Sequence, residues 1–470
     1  MSLKVVQKHQ DIQCNQKISS NGRIVIKKRG WILRLTTLTG LIFIIAYNIE
    51  QGLLLGSSLI VYSTLMPLHT FLVLLVGWFF YKNPANGGQT KNDLVSVIIP
   101  IFNQESMITF VIDAIYNSTH KNIEVLAVND GSTDHTRNVL DQLTKKYPNL
   151  KVIHKKNEGK RLAVAAGFYK SKGRFVVLID SDSVVDKNAI REFMKTFSTD
   201  PKIGAVVGYA KVWNSKKNLL TKCQDCWYDY AFNIHKTTES TLNTVMCCSG
   251  CLAGYRRNAI EPFIPYWIKA KIQNSDDRDL TTYVYAPSWG KTHLAPLSEK
   301  LMESVAKYDD AEDRMLTAAS LVEWKSVYVA SAIVYTEVPE KIRSYIRQQT
   351  RWKKGYIRSN FFASTFFWKK NPIIAIIFYI EFMSTFSAPV IISVIFVYVP
   401  IVYSHFWIPL VFTLGSFFSG LAQGIDYKLR DPKSKTWKFK PLMNLFASFG
   451  LSWLVIPAIL TLRKNQWLTR

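Results

Sequence analysis

The chain reads as an α/β domain on a mostly parallel sheet, inserted between N-terminal and C-terminal membrane-spanning helices. Short β-branched runs alternate with amphipathic stretches across residues 90–339. Strongly apolar blocks occupy residues 31–81 and much of 371–470, each long enough to cross a bilayer. Lys and Arg crowd the flanks of those blocks, as they do on the cytoplasmic side of membrane proteins.

Residues 1–30 are polar and basic, and no small-residue cleavage pattern follows the first apolar run, so no cleaved signal peptide is expected. The runs 31–49 and 53–81 predict a transmembrane hairpin turning at Glu50-Gln51-Gly52, both ends cytoplasmic. Lys82 to Gly88 is a Pro/Gly/Asn linker. Strands are expected at 94–100, 123–130, 150–155, 175–180 and 203–210, with helices at 104–117, 134–147, 158–170 and 187–197. Such a sheet binds ligands at the carboxyl ends of its strands. Residues 340–370, rich in Arg, Lys and aromatics, predict amphipathic helices at the membrane interface. Apolar blocks follow at 373–399, 402–425 and 441–462. If all three spanned, Arg463, Lys464 and Arg470 would end outside, so four full spans are expected, with 441–462 interfacial or re-entrant. The predicted protein is a multi-pass component of the cell membrane with its α/β domain in the cytoplasm.

The formal charge of +25 is largely membrane-side Lys/Arg, and no interleaved aromatic-basic motif calls for nucleic acid. Cys223-x-x-Cys226 with Cys247-Cys248-x-x-Cys251 approaches zinc-ribbon spacing, but reduced, buried thiols of a cytosolic domain are the preferred reading.

Four constellations carry chemistry. Pro100 and Asn103 close the first strand; Asp130 and Gly131 close the second, where a carboxylate can accept from uracil or ribose, although taken alone an ordinary Asp-Gly turn is the favoured reading. Lys160 and Arg161 open a helix and can reach a pyrophosphate, or simply face solvent. Asp180-Ser181-Asp182 ends a buried strand with two carboxylates, suited to Mg²⁺ or Mn²⁺ shared with a diphosphate or to capping the next helix. Glu312-Asp313 precedes a helical reading over 315–325, where a carboxylate can act as general base or satisfy the helix dipole. Finally, Gln348, Arg351 and Trp352 share one helical face: a bidentate cation for pyrophosphate, a flat ring for a pyranose, and an amide for either. An interfacial anchor would explain the Arg and Trp without requiring the Gln.

In this order these motifs resemble the processive family-2 glycosyltransferases, most closely the hyaluronan synthases and their chitin-oligosaccharide synthase relatives. The resemblance is carried by 128–134 (VNDGSTD), Gly159-Lys160-Arg161, Asp180-Ser181-Asp182, 248–256 (CSGCLAGYR), 312–317 (EDRMLT), 348–352 (QQTRW) and Trp467-Leu468-Thr469-Arg470. It implies a glycosyltransferase fold of GT-A type, a UDP-sugar donor, a divalent metal at Asp182 and a base at Asp313. It further implies an acceptor cradle of Cys248, Ser249 and Gly250 with Trp352, and secretion of a growing β-linked polysaccharide through the chain's own channel. Hyaluronan from UDP-N-acetylglucosamine (UDP-GlcNAc) and UDP-glucuronate (UDP-GlcA) is the leading expectation; Lys160, Arg161 and Arg256 would permit the glucuronate carboxylate. A one-donor chitin-like product and transfer to a polyprenyl phosphate are the enzyme alternatives, and a membrane scaffold with a degenerate transferase domain is the non-enzyme one. The chain departs from the resemblance at Leu468, at Cys251 and Gly254, and in a long segment 261–311 that contains 275–279 (SDDRD) and Trp289-Gly290-Lys291.

Overall fold

A computed structural model describes residues 18–20, 22–26, 28–55, 58–269, 275–286 and 323–463. Two long apolar helices open it, α1 (Lys28–Leu55) and α2 (Ser58–Phe79). The turn expected at Glu50–Gly52 is not there: α1 runs on through Gly52. One glycine costs a helix only about 1 kcal/mol, too little to end 28 residues of it.

The sheet has eight strands in the order β3-β2-β1-β4-β7-β6-β8-β5. β1 (Val95–Ile101) is buried along its whole length, as an apolar run must be when helices cover both faces of a parallel sheet. β2 (Ile123–Asp130) and β3 (Leu150–Lys155) match their predicted bounds and pair in parallel outward from β1. β4 (Phe175–Leu178) pairs with the other side of β1. The chain therefore reverses its direction of sheet growth between β1 and β4, and a crevice opens there at the carboxyl ends. Helices α3 (Ile108–Tyr116), α4 (Thr136–Lys146), α5 (Lys160–Lys170) and α6 (Ala189–Thr199) all fall inside their predicted stretches or within two residues of them.

Beyond β4 the sheet is mixed. β6 (Ile203–Val212) lies antiparallel to β7 (Ala253–Arg256) and parallel to β8 (Lys325–Thr336), while β5 (Val184–Val185) is a two-residue edge. The sequence reading lacked β5, β7 and β8, and it also lacked α7 (Leu219–Tyr230), α8 (Lys236–Thr241) and α9 (Asp276–Tyr285). Of the helix expected over 315–325, residues 315–322 lie outside the described part; Trp324 is not helical and Lys325 begins β8.

α10 (Ile342–Ser364) carries the Gln-x-x-Arg-Trp face, and α11 (Pro372–Ser393) and α12 (Trp407–Arg430) follow. Among the described residues four helices are long and apolar enough to cross a membrane. Residues 437–460 form a helix pair bent by 43° on either side of Gly450. That break divides the last apolar block, which was expected to be interfacial or re-entrant.

Candidate active site

The donor side is built from loops that hold one another. Asn103, at φ 51°, donates its backbone N–H to Ser132 Oγ (3.0 Å) and accepts from Thr133 N (2.8 Å). Gly131 takes φ 70°, and a Cβ there would stand 2.5 Å from Asn157 N. Asp130 is buried and accepts from Glu158 N (3.1 Å), Gly159 N (2.8 Å) and Lys155 Nζ (2.8 Å). Asp130, expected to meet uracil or ribose, also orders the loop that leads into Lys160 through these three hydrogen bonds. Pro100 is buried in β1 beneath this loop set, and Asn103 serves as its clasp.

Lys160 is the first residue of α5 and ion-pairs with Asp180 Oδ1. Burial disfavours its charge, but Asp180, Asp277 and Asp276 outweigh that and raise its pKa. Arg161, one residue on, faces another way, since neighbours in a helix do not share a side. It is fully buried: Nε binds Asp276 Oδ1 (2.8 Å), Nη2 binds Asp279 Oδ2 (2.9 Å) and Nη1 binds Trp267 O (2.7 Å). Its expected role at a pyrophosphate gives way to anchoring the first turn of α9. Arg256 is likewise committed, to Ile203 O (3.1 Å) and Phe197 O (3.0 Å). Of the three cations expected to tolerate a glucuronate, Lys160 alone lies beside the strand-end carboxylates.

The acceptor loop lies directly on this ion pair. A Cβ on Gly250 would sit 2.9 Å from Lys160 Nζ and 3.2 Å from Asp180 Oδ1, so a larger residue there would press on the ion pair and shift the lysine tip. Gly250 N donates to Asp277 Oδ2 (3.3 Å), and Cys248 N to Thr281 Oγ1 (2.9 Å). Asp182, whose Oδ1 accepts from Ser183 Oγ (3.1 Å), belongs to the same neighbourhood. Burial pushes the Cys251 thiol up, and the charges of Asp180, Asp277 and Asp182 push it further.

Asp277 is the residue that sequence reasoning missed. The pattern acid-Asp-Arg-x-Leu-Thr occurs twice, at 276–281 (DDRDLT) and 312–317 (EDRMLT), and that repetition was the available signal. The described structure seats the first copy against the acceptor loop; Glu312 and Asp313 lie outside the described residues, as do Trp289–Lys291 and Trp467–Arg470. α9 also reaches α10: Arg278 lies 5.1 Å over the Tyr356 ring, Arg358 pairs with Asp279, and Ser359 Oγ donates to Asp279 Oδ1 (2.7 Å).

On α10, Gln348 Oε1, Gln349 Nε2 and Arg351 Nε are buried without a hydrogen-bond partner among the described residues. Buried polar atoms are rarely left so unless a ligand completes them. Trp352 stacks on Trp227 of α7 (5.9 Å, 20°). The next residue, Tyr228, has its phenol pKa raised by burial and then by Cys251 and Asp182, so α7 joins the tryptophan pair to the strand-end carboxylates. The cysteines make no metal set among the described residues; Cys226 Sγ donates to Thr436 O (3.0 Å), remote in sequence from the acceptor loop. Two carboxylates at a strand end form an all-oxygen donor set that fits Mg²⁺ or Mn²⁺.

The family model for glycosyl transferase family 2 matches residues 96–263. Hyaluronan synthase of Streptococcus pyogenes is 26% identical over 448 residues, spanning 91% of this chain and 95% of that protein. An N-acetylglucosaminyltransferase of Rhizobium meliloti (strain 1021) is 29% identical over 286 residues, 60% of each chain. Among solved structures, the mannosyltransferase PcManGT from Pyrobaculum calidifontis, in complex with GDP-Man and Mn²⁺, superposes with a TM-score of 0.50 at 16% identity. It covers 87% of this chain and 99% of its own, and the likeness extends to the fold. A switch-point crevice lined by paired carboxylates, on a GT-A sheet flanked by long apolar helices, agrees with these relatives: residues 96–263 form a glycosyl transferase family 2 domain, in a chain similar over most of its length to hyaluronan synthase.

Proposed function

We propose that this protein is a processive, inverting polymerase that joins UDP-sugars into a β-linked polysaccharide and passes it through its own membrane helices. In this reading residues 1–30 are a basic cytosolic lead, 31–81 the hairpin, 90–339 the cytoplasmic transferase, 340–370 the interface helices and 371–470 the channel region. The contact between Gly250, Asp277 and the Lys160–Asp180 pair carries it, because Gly250 N donates to Asp277 Oδ2 while the same glycine lies against the donor-side ion pair.

The donor's diphosphate accepts from Lys160 and from Arg351, whose Nε is unsatisfied, while the unsatisfied Gln348 Oε1 accepts from a sugar or ribose hydroxyl. Asp182, with Asp180, would hold a divalent ion, which when bound would supply Lewis-acid neutralisation of charge on the departing UDP. The acceptor sugar stacks on Trp352, and a carboxylate takes the proton from its hydroxyl as that oxygen attacks the anomeric carbon from the face opposite UDP. Asp277 supplies that carboxylate in the geometry described; Asp313, in the second copy of the motif, is the competing assignment. Full-length relatives named hyaluronan synthase favour hyaluronan, made from UDP-GlcNAc and UDP-GlcA, as the product. The N-acetylglucosaminyltransferase relatives support a chitin-like product from one donor as the second reading.

Membranes containing the protein, supplied with each donor alone and then both, decide between them. Hyaluronidase-sensitive polymer only with both donors is expected. Polymer from UDP-GlcNAc alone rejects hyaluronan, and a lipid-extractable monosaccharide product rejects polymerisation.

A further inference from the structure

Away from the crevice, three metal-ligating side chains from three separate elements converge. His69 lies on α2, Glu381 on α11, and His235 ends a π-helical turn (Ala231–His235) between α7 and α8. One ligand atom of each lies within 4.8 Å of the other two. We propose that His69, His235 and Glu381 form a zinc site that ties the transferase domain to two membrane helices.

The contacts are those of ligands facing a shared centre. His235 Nε2 lies 3.2 Å from Glu381 Oε2, an imidazole–carboxylate pair. His69 is buried, and its Nε2 lacks a hydrogen-bond partner among the described residues. A buried unsatisfied imidazole nitrogen beside such a pair calls for a third party. Ligands around a tetrahedral ion at ~2.0–2.1 Å stand about 3.4 Å apart, close to the His235–Glu381 separation. Behind His235, Glu239 Oε1 stands 3.3 Å from Nδ1, the carboxylate–histidine arrangement that fixes a metal-bound imidazole's tautomer. The π turn is a further sign, since such turns are mostly found where a side chain is aimed for function.

The donor chemistry selects the ion. Two imidazoles and one carboxylate suit borderline Zn²⁺, whereas the carboxylates at 180 and 182 suit harder Mg²⁺ or Mn²⁺. Three protein ligands leave a fourth position for water. Binding would hold α2, α11 and the segment before α8 in register, because an ion bound only by the folded arrangement adds its binding energy to that arrangement.

The test uses the full chain, purified in detergent without chelator and analysed for metals by mass spectrometry. About one zinc per chain is expected. Asp182→Ala should retain it, while His69→Ala and Glu381→Gln should each lose it. Glu239→Gln should keep the ion at about 10–100-fold weaker affinity. Cobalt substitution should give the visible absorption of a tetrahedral site, absent in His69→Gln, a milder change that guards against a misfolded alanine variant. Zinc absent from the wild type even after addition of ZnCl₂, or retained equally by both His69 variants, overturns the site. The trio would then be an imidazolium of His235 held between two glutamates.

Discussion

Two charged regions lie on either side of α7 and are finished very differently. Toward the membrane, Arg34 of α1 binds Asp426 (2.9 Å), Asp426 binds Arg430 (2.7 Å), and Arg430 grips Asp229 of α7 through two nitrogens (2.9 and 2.6 Å). Arg34 also donates to Trp78 O (3.1 Å). All four side chains are almost wholly buried, and their charges cancel in pairs. Toward the crevice, Gln348, Gln349 and Arg351 keep buried atoms unsatisfied, and three carboxylates crowd one thiol. A saturated network belongs to the architecture, because removing any member strands a charge. An unsaturated cluster beside a strand-end crevice leaves room for a ligand to complete it, so burial of charge alone does not mark a site.

The largest effect should come from the unsaturated side. Asp277→Asn keeps an oxygen for Gly250 N but cannot take a proton, so polymer synthesis should fall by about 10²–10⁴-fold while UDP binding persists. Paired with Asp313→Asn, isothermal titration and radiolabelled-sugar incorporation show which copy of the motif serves; normal turnover in Asp277→Asn removes it as the base. On the saturated side, Asp426→Ala leaves Arg34 and Arg430 buried without it and should destabilise the protein by about 3–5 kcal/mol, read as a lower melting temperature in detergent. Asp113→Asn is its control: the Lys146–Asp113 pair has the same 2.9 Å length but is exposed, and its loss should leave the melt unmoved. The smallest change is expected for Trp352→Ala, which should lower elongation about tenfold with donor hydrolysis spared, through loss of a stacking face. Equal loss of both activities would deny Trp352 an acceptor role.

Much of this was legible beforehand. β2 and β3 began and ended where their β-branched runs did, because short apolar-rich runs bounded by turn residues leave little freedom in where a strand starts and stops. The strand-end Asp180 and Asp182, the Gly250 loop and Trp352 were all found as motifs, and the first two meet. What failed was partnership. Nothing local tells that Asp130 will accept from backbone N–H groups of 158 and 159, or that Arg161 will turn inward to Asp276 and Asp279 while Lys160 turns out. β7, four residues long, carries no periodicity, and the strand role of β8 follows from its pairing with β6 and β5.

Local order of apolar and polar residues thus determined the class of fold, the membrane blocks and the identity of the chemical groups, since each follows from burial and spacing along the chain. Which of those groups face the crevice was decided only in three dimensions. A side chain's role depends on the partners that reach it, and those come from residues 20 to nearly 400 positions away.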